Sequence, residues 1–429
     1  MEKTIEPNYK KNIGMILLIS LAGMTVYLLP YLRYYYYDDM LSFLNINDMQ
    51  MGVLGSVYGA FAIVGYCLGG WVADRFQLKY IVPGSLIVTG LLGFLHLPRP
   101  AYPVLLVIYG IWGISTILTF WNPLMKALRM MSRPDEQGRG YALFDVGRGV
   151  LNFAIGIGCV ALFTKLVTIV GDITGMTILY LIYSAFTLVV GVITYFVFRG
   201  LPDTRSQGKS KDSNFWKNVL KVLRMPNTWL LIIAMFMSYG VIISYFYVIP
   251  FCTESLGLSA AIASVLGYCA NGFRIVGCYV GGQIGDRKGL SATYAGAMAL
   301  MIVGYLGIIL MPKGGGSAAG LIVVFIAIIC MSQYAAEAFH YSVLEEGDYP
   351  LEIMGAATFV ITPLGYLGET IFPLINGAIL QNIGGTQAYD VMFGMFCVLL
   401  AIGIAALLLF RVRTKDRRKE LAALRAKNK

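Results

Sequence analysis

Twelve long apolar segments follow one another along this chain, and they limit its possible folds more than any other feature. Hydrophobic residues make up 58% of the sequence and charged residues only 13%, whereas an ordinary soluble domain is about a quarter charged. About 20 apolar residues are enough for an α-helix to cross a bilayer. The sequence therefore predicts an all-α membrane protein with twelve transmembrane helices. The predicted helices lie near residues 12–41, 48–74, 80–97, 101–128, 138–165, 172–198, 227–252, 259–285, 291–311, 317–343, 352–381 and 387–411.

A short motif occurs twice, once in each half of the chain. Residues 69–75 read Gly-Gly-Trp-Val-Ala-Asp-Arg, and residues 281–287 read Gly-Gly-Gln-Ile-Gly-Asp-Arg. Both copies close a long apolar run, at the ends of the second and eighth predicted helices. A repeat of this kind predicts two six-helix halves related by pseudo-symmetry. The predicted organisation is an N-terminal half (1–198), a polar linker (199–226) with a short amphipathic helix at 215–223, a C-terminal half (227–411) and a basic tail (412–429).

Basic residues concentrate on one side of the predicted helices. That side carries Lys10, Lys11, the stretch 126–139, the linker and the tail. Because cytoplasmic loops carry an excess of Lys and Arg, both termini are predicted to be cytoplasmic, with the protein in the cell (inner) membrane. The net charge of +10 then reflects this asymmetry and contact with an anionic leaflet of the lipid bilayer, and no nucleic-acid partner is expected.

Twelve predicted helices and a Gly-x-x-x-Asp-Arg motif in each half resemble the major facilitator superfamily over nearly the whole chain. The resemblance implies a secondary transporter that works by rocker-switch alternating access. It also implies that the motif lies at the cytoplasmic helix ends and helps to lock the outward-facing state. The gate residues assigned in this way are Gly70, Asp74, Arg75, Gly282, Asp286 and Arg287.

The predicted gate has a simple physical basis. Asp74 follows the second helix directly, so its carboxylate is expected to cap the N-terminus of a neighbouring helix. Alternatively, it pairs with a cation at the end of the fourth helix, such as Arg129 or Arg133. Breaking such contacts would allow the two halves to move.

Charged residues inside the predicted helices are candidates for substrate binding, because an ionisable side chain in lipid costs roughly 3 kcal/mol or more. Arg274 lies twelve residues before Asp286, about 18 Å along the helix and near the middle of the membrane. Arg148 is about 15 Å into the fifth helix, with Asp145 three residues earlier to neutralise it. Arg274 has no acid nearby in its own helix. We therefore expect it to bind an anionic substrate or a distant acid such as Glu369.

The first predicted helix offers a third arginine, Arg33. Its region is similar to the organophosphate:phosphate antiporter branch of the family, where an arginine near this point binds phosphate, although the branch's matching basic residue in the seventh helix is replaced by Tyr245. Arg33 is expected either to face the substrate cavity or to reach the outer interface. Tyr31, Tyr245 and Tyr247 are expected to offer rings or hydroxyls to the substrate.

Proton coupling is a further hypothesis. Glu337 and His340 lie on one face of the tenth helix, where a carboxylate beside an imidazole can exchange a proton. Asp145 and Glu369 are the other acids that the hypothesis includes. A satisfied polar network that holds the helices together remains the alternative for the Glu337–His340 pair.

Other classes of protein are less compatible with the sequence. Seven cysteines without a Cys-x-x-Cys spacing and two histidines predict no metal site, and no catalytic or cofactor motif is present, so neither an enzyme nor a cofactor is expected. The favoured function is transport of a small organic anion, a carboxylate or a phosphorylated metabolite, by a monomer. The alternatives are a proton-coupled sugar or nucleoside symporter, a transporter-like sensor and a lysolipid flippase.

Overall fold

The computed structural model describes residues 8, 10–131, 137–201, 215–313, 316–347, 349 and 351–427. It divides into two compact units: the first comprises Met1–Lys209 and Ser259–Asn271, and the second comprises Ser210–Leu258 and Gly272–Lys429. The described residues contain helices and turns but no strand, which confirms the all-α prediction. Part of the predicted linker, 202–214, lies outside the described residues.

The helices of the N-terminal sequence half come first in chain order. They are α1 (Ile13–Thr25), α2 (Tyr37–Leu44), α3 (Asp48–Arg75), α4 (Leu78–Phe94), α5 (Tyr102–Gly113), α6 (Asn122–Met130), α7 (Gln137–Val170) and α8 (Asp172–Phe198). A π-helix, Ile114–Trp121, joins α5 to α6 in one continuous rod.

The remaining helices follow the linker. They are α9 (Phe215–Leu223), α10 (Pro226–Ser244), α11 (Val248–Glu254), α12 (Ala260–Lys288), α13 (Leu290–Leu310), α14 (Gly316–Ser342), α15 (Leu351–Gly365), α16 (Gly368–Ile383), α17 (Gly385–Arg413) and α18 (Lys415–Lys427). The amphipathic helix predicted in the linker is present as α9.

The helix boundaries follow local sequence signals. Asn47 precedes α3, and its side chain accepts a hydrogen bond from the Gln50 amide at 2.9 Å while the Gln50 side chain accepts one from the Asn47 amide at 3.0 Å. This reciprocal pair satisfies donors that the first helical turn leaves open. Gly171 (φ 80°) separates α7 from α8, and Gly289 (φ 94°) separates α12 from α13. Glycine adopts these left-handed conformations without steric cost.

Within the described residues, ten helical stretches are long and apolar enough to cross a membrane, and α1 and α4 are shorter apolar helices. Large apolar side chains such as Ile169 (77% exposed) and Leu310 (80% exposed) lie on the outside. Helices that are apolar on all sides are stable when lipid covers the outer face. Together with the fold neighbours reported below, these features identify a multi-pass membrane protein.

Each unit has its own apolar core. In the first unit α4 packs along α8, and the core includes Ile16 of α1, Leu86 of α4 and Phe144 of α7. In the second unit α17 packs against α10 and α13, where Tyr305 contacts Phe396 with their ring centroids 5.3 Å apart. The polar side chains that are candidates for a functional site lie on only a few of the helices.

The first helix of each sequence half is interrupted at a matching place. The chain turns after α1 and forms a short 3-10 helix at Leu32–Tyr34 before α2. After α10 it forms a 3-10 helix at Tyr245–Tyr247 before α11. The sequence predicted continuous helices at 12–41 and 227–252, so these interruptions are corrections to that prediction. Interrupted helices inside membranes occur where the irregular backbone is buried in protein or lines a cavity, and paired interruptions often mark binding sites in transporters.

Candidate functional site

The first unit carries a partly exposed arginine on an aromatic surface. Arg148 of α7 lies with its guanidinium 4.9 Å from the ring centre of Trp121 and 5.3 Å from that of Phe144. Its Nη1 is 3.4 Å from Oδ1 of Asp145, one turn earlier in the same helix, and the two side chains are 20% and 50% exposed. The predicted pairing of Arg148 with Asp145 is therefore present. The aromatic rings add cation–π attraction to this pair.

Trp121 owes its position to an irregular helix. It is the last residue of the π-helix Ile114–Trp121, and Pro123 follows in the first turn of α6. Proline has no backbone N–H to donate to the preceding turn. A π-helical segment of this kind often occurs at a functional site, because it changes the direction of the side chains that follow.

A row of tyrosines continues from Trp121. Tyr27 stacks on Tyr31 with ring centroids 5.4 Å apart, and Tyr31 stacks on Tyr34 at 4.6 Å. Tyr27 also meets Trp121 edge to face at 6.0 Å. Tyr27, Tyr31 and Trp121 are all partly exposed. We name Arg148, Trp121, Tyr27 and Tyr31 the N-unit surface.

Arg33 is buried in the interior of the first unit. Its side chain is 1% exposed, with the guanidinium 5.3 Å from the ring centre of Tyr34 and 5.8 Å from that of Tyr109. The helix has already ended at this point, and the 3-10 turn directs Arg33 into the interior of the first unit. In this structure the Arg33 side chain is therefore enclosed by the aromatic side chains of the first unit.

The second unit carries a comparable, partly exposed arginine. Nη2 of Arg274 in α12 lies 3.5 Å from Oε1 of Glu337 in α14, and the side chains are 25% and 31% exposed. The guanidinium also lies 4.9 Å from the ring centre of Tyr334. Its acidic partner is thus Glu337, on a neighbouring helix, and not the distant Glu369 that the sequence suggested. We name Arg274, Tyr334 and Glu337 the C-unit surface.

Glu369 and His340 belong to a buried network deeper in the second unit. Glu369, only 1% exposed, accepts a hydrogen bond from the hydroxyl of Tyr239 at 3.4 Å. His340 is also 1% exposed, and its Nε2 lies 3.3 Å from Oγ of Ser238. Its Nδ1 has no hydrogen-bond partner among the described residues.

The two residues of the predicted Glu337–His340 pair have different partners in the structure. Glu337 contacts Arg274, whereas His340 contacts Ser238, although both residues lie on α14. The aromatic residues around His340 include Tyr239 and Tyr366, each with its ring centroid 6.0 Å from that of the imidazole. The imidazole therefore lies among aromatic rings and Ser238, away from the ion pair of Glu337 with Arg274.

Tyr245 and Tyr247 lie at the interruption between α10 and α11 and point into the second unit. Tyr247 is fully buried, and Tyr245 is 8% exposed. In this structure both rings contribute to the packing at the interruption and are less accessible than Tyr31.

The first copy of the repeated motif forms an exposed ion pair. Nζ of Lys126 donates to Oδ1 of Asp74 at 2.7 Å and to the carbonyl of Ala73 at 2.9 Å. The Asp74 side chain is 59% exposed. The sequence suggested a cation such as Arg129 or Arg133; the structure pairs Asp74 with Lys126, three residues before Arg129 on α6, and Arg133 lies outside the described residues. Arg75 lies over the ring of Trp71, 5.5 Å from its centre.

The motif glycines differ in what surrounds them. A Cβ atom added at Gly69 would overlap the side chain of Asn122, and one added at Gly281 would lie 2.8 Å from Cβ of Ala335. A Cβ atom at Gly70 or Gly282 would meet no atom within 4 Å. Helix packing therefore accounts for the first glycine of each copy but not for the second.

Next to the second copy of the motif, the carboxylate of Glu346 caps the N-terminus of a helix. The sequence suggested such a capping role for Asp74 at the first copy. Glu346 accepts hydrogen bonds from the amides of Leu290 (2.7 Å) and Ser291 (3.2 Å) at the N-terminus of α13. It also accepts one from Oγ of Ser291 at 2.5 Å, and Nη1 of Arg411 donates to the same hydroxyl at 3.1 Å. A carboxylate is favourable at a helix N-terminus, where amides are open and the dipole is positive. Arg287 is exposed, and the side chain of Asp286 lies outside the described residues.

Sequence reasoning missed Glu346 and Arg411. The available signal was an acid at the end of the tenth apolar segment and a basic residue at the end of the twelfth. Among the described residues no group of three His, Cys, Asp or Glu side chains is placed to hold a metal ion.

The family follows from comparison with known proteins. The model of the Major Facilitator Superfamily matches residues 13–373, which is most of the chain. The chain therefore belongs to this superfamily, and it is a membrane transporter, not an enzyme.

Several relatives resemble the chain over most of its length. The inner membrane protein YqcE of Escherichia coli (strain K12) is 26% identical over 406 residues, covering 93% of this chain and 95% of YqcE. The inner membrane protein YihN of the same organism is 25% identical over 434 residues, covering 97% and 99%. The minor myo-inositol transporter IolF of Bacillus subtilis (strain 168) is 24% identical over 388 residues, covering 85% and 83%.

Solved structures support the same fold. A bacterial homologue of the human lysosomal transporter Spinster, in an inward-facing and unoccupied conformation, matches with a TM-score of 0.72 at 15% identity, covering 95% of this chain and 98% of that one. The nucleoside transporter NupG matches with a TM-score of 0.71 at 13% identity, covering 94% and 99%. At these identities the likeness concerns the fold alone.

Proposed function

We propose that this transporter moves a small organic anion, a carboxylate or a phosphorylated metabolite, by rocker-switch alternating access. The observation that carries the proposal is the partly exposed Arg274, which rests on an aromatic ring and meets its acidic partner at 3.5 Å. Charge-assisted hydrogen bonds between nitrogen and oxygen are normally about 2.7–2.9 Å long. The contact with Glu337 is therefore longer than a strong ionic hydrogen bond, and a substrate anion can replace it.

The N-unit surface supports the same proposal. Arg148 also lies over aromatic rings and meets Asp145 at 3.4 Å, again longer than a strong ionic hydrogen bond. Tyr27 and Tyr31 offer flat faces and hydroxyls beside it, which suit an organic body attached to the anionic group. Each unit thus contributes one arginine and a set of aromatic side chains.

Displacement of Glu337 gives a route to proton coupling. When the substrate anion takes over Arg274, the carboxylate of Glu337 is released from its cationic partner. We propose that a proton enters with the substrate on this residue. In Glu337→Gln, an inward proton gradient should no longer drive accumulation, whereas the exposed control Glu345→Gln should behave like the wild type. Unchanged proton-driven accumulation in Glu337→Gln would remove this residue from the mechanism.

The remaining features of the proposal follow from the sequence and the family. The two sequence halves, 1–198 and 227–411, are the moving bodies, 199–226 is the linker and 412–429 the basic tail. The distribution of Lys and Arg supports an orientation with both termini in the cytoplasm. The protein acts as a monomer, and the similarity of the first helix to the organophosphate:phosphate antiporter branch supports an anionic substrate.

One observation favours a second candidate, a proton-coupled carrier of a neutral polyol or nucleoside. Arg274 and Arg148 each have an acid within 3.5 Å, so neither surface has a large excess of positive charge. IolF, one of the relatives, is named as a myo-inositol transporter, and NupG as a nucleoside transporter. An uncharged hydroxylated substrate could bind to the paired side chains without displacing either acid.

A thermal-shift screen of the purified protein separates the two candidates. A ligand that binds the native state raises the melting temperature, and the rise grows with the logarithm of the ligand concentration above Kd. The panel pairs each anion with a neutral counterpart: glucose 6-phosphate with glucose, gluconate with sorbitol, and uridine 5′-phosphate with uridine, plus myo-inositol. The proposal predicts stabilisation by an anion and none by its neutral counterpart. Stabilisation by the neutral compounds alone would overturn it in favour of the second candidate.

A further inference from the structure

A basic cavity lies where the last membrane helix meets the tail helix. Its volume is about 710 Å³, and it is open to the exterior. The side chains that line it are Leu408, Arg411, Val412, Lys415, Arg418 and Lys419. Four of these six carry a positive charge, and neither transport candidate uses any of them.

The position of α18 creates this cavity. Thr414 separates α17 from α18, and Nη2 of Arg418 donates a hydrogen bond to the carbonyl of Arg411 at 2.6 Å. This contact holds the first turns of the tail helix against the end of α17. Four cationic side chains are thereby brought close together despite their mutual repulsion.

The charge of the cavity is only partly compensated. Lys419 lies 3.9 Å from Asp416, but these side chains are 68% and 99% exposed, so water screens the pair. Arg411 is near Glu346, whose carboxylate is already engaged at the start of α13. The cavity therefore retains an excess of positive charge for an anion from outside the protein.

The cavity is also continuous with an apolar face of the membrane helix. Leu408 and Val412 lie one turn apart on α17 and are 52% and 75% exposed. Side chains four residues apart share one face of a helix. An apolar strip that runs along a membrane helix into a cluster of cations has the same polarity profile as a phospholipid, with its acyl chains beside the helix and its phosphate at the end.

We propose that this cavity is a binding site for one anionic phospholipid. Lys415 and Lys419 attract the phosphate, Arg411 and Arg418 form the wall behind it, and an acyl chain covers Leu408 and Val412. Basic pockets at the ends of membrane helices are suited to anionic headgroups. A bound lipid would also fasten α18 to α17. The proposal does not depend on which substrate the protein carries.

The test is a lipid titration of the full-length protein in a non-ionic detergent, with the melting temperature as the readout. The probes are short-chain phosphatidylglycerol, phosphatidylcholine with the same acyl chains, and glycerol 3-phosphate, which has the phosphate but no acyl chain. Phosphatidylglycerol is expected to stabilise the protein at a concentration at least tenfold lower than either of the others. Equal effects of the two lipids would overturn the assignment to an anionic headgroup. An equal effect of glycerol 3-phosphate would assign the site to a free phosphate ester instead of a lipid.

Variants localise the effect to the cavity. Lys415→Gln/Lys419→Gln removes two exposed cavity charges and should melt like the wild type without lipid, but it should need about 30-fold more phosphatidylglycerol for half of the maximal shift. Arg413→Gln/Arg417→Gln removes two charges from the same stretch, and neither residue lines the cavity; Arg413 contacts Asn227 and Arg417 contacts Glu420. This control should change the half-saturating concentration by less than about threefold. If both double variants lost the same affinity for phosphatidylglycerol, binding would depend on the general surface charge of the tail and not on this cavity.

Discussion

The two units present the same combination, an arginine over an aromatic ring with an acid nearby, but they hold the charge in different ways. In the first unit Arg148 and Asp145 are three residues apart on one helix, so they remain neighbours whenever α7 is intact. In the second unit Arg274 and Glu337 lie on different helices, and a small movement of α12 against α14 separates them. The ion pair of Arg148 with Asp145 is therefore fixed by its helix, whereas the ion pair of Arg274 with Glu337 can be broken and replaced by a contact with substrate. On this account, substrate recognition and coupling depend more on the C-unit surface.

The largest expected effect is that of Arg274→Ala. The variant removes the exchangeable cation and leaves Glu337 without its partner, so uptake into proteoliposomes should fall about 100-fold or more. Membrane insertion and the monodisperse elution of the protein should be retained. Arg224→Ala, which removes an exposed arginine of the same unit outside this surface, serves as the control and should retain at least half of the wild-type rate.

Arg148→Ala should have a smaller effect on the same uptake rate. Because Asp145 is half exposed and can be hydrated, loss of Arg148 leaves no buried charge behind, and we expect a decrease of about tenfold. Asp145→Asn should lower the rate by less than about threefold. If Arg148→Ala lowered the uptake rate more than Arg274→Ala, substrate recognition would depend more on the N-unit surface, contrary to the proposal.

The two copies of the repeated motif also differ in how strongly their helix ends are held. A buried cap lies beside the second copy, and an exposed ion pair lies at the first. Glu346→Gln weakens a buried cap that accepts two amide hydrogen bonds, and we expect the free energy of unfolding to fall by about 1–3 kcal/mol. Asp74→Asn weakens an exposed pair with Lys126 and should cost less than about 1 kcal/mol. Melting curves of the two variants in the same detergent compare the ends directly. Equal shifts would mean that the two copies of the motif are held with equal strength.

The sequence predicted the parts of this molecule that depend on local chemistry. The length and apolarity of each segment set the positions of the helices. The Arg148–Asp145 pair was predictable because its spacing along one helix fixes its geometry. These features need no knowledge of which helices are neighbours.

Contacts between helices were not predictable in the same way. The partner of Arg274 lies on α14, and no spacing in the sequence relates the two helices. The pairing of Asp74 with Lys126, three residues before the suggested Arg129, likewise depends on how α6 packs beside α3. The interruptions at Leu32–Tyr34 and Tyr245–Tyr247 fall in apolar, aromatic stretches that favour a helix, but Pro30 and Pro250 beside them are local signals against a continuous one.

The central claim is that Arg274 binds the anionic group of the substrate in exchange for Glu337. The most direct measurement is the affinity of Arg274→Gln, Glu337→Gln and the neutral double variant for the anion identified in the thermal-shift screen. If Arg274 contacts the substrate, both variants that lack it should lose binding, whereas Glu337→Gln should bind at least as tightly as the wild type at neutral pH. If the pair only balances its own charge, the double variant should regain wild-type affinity, and that result would contradict the account.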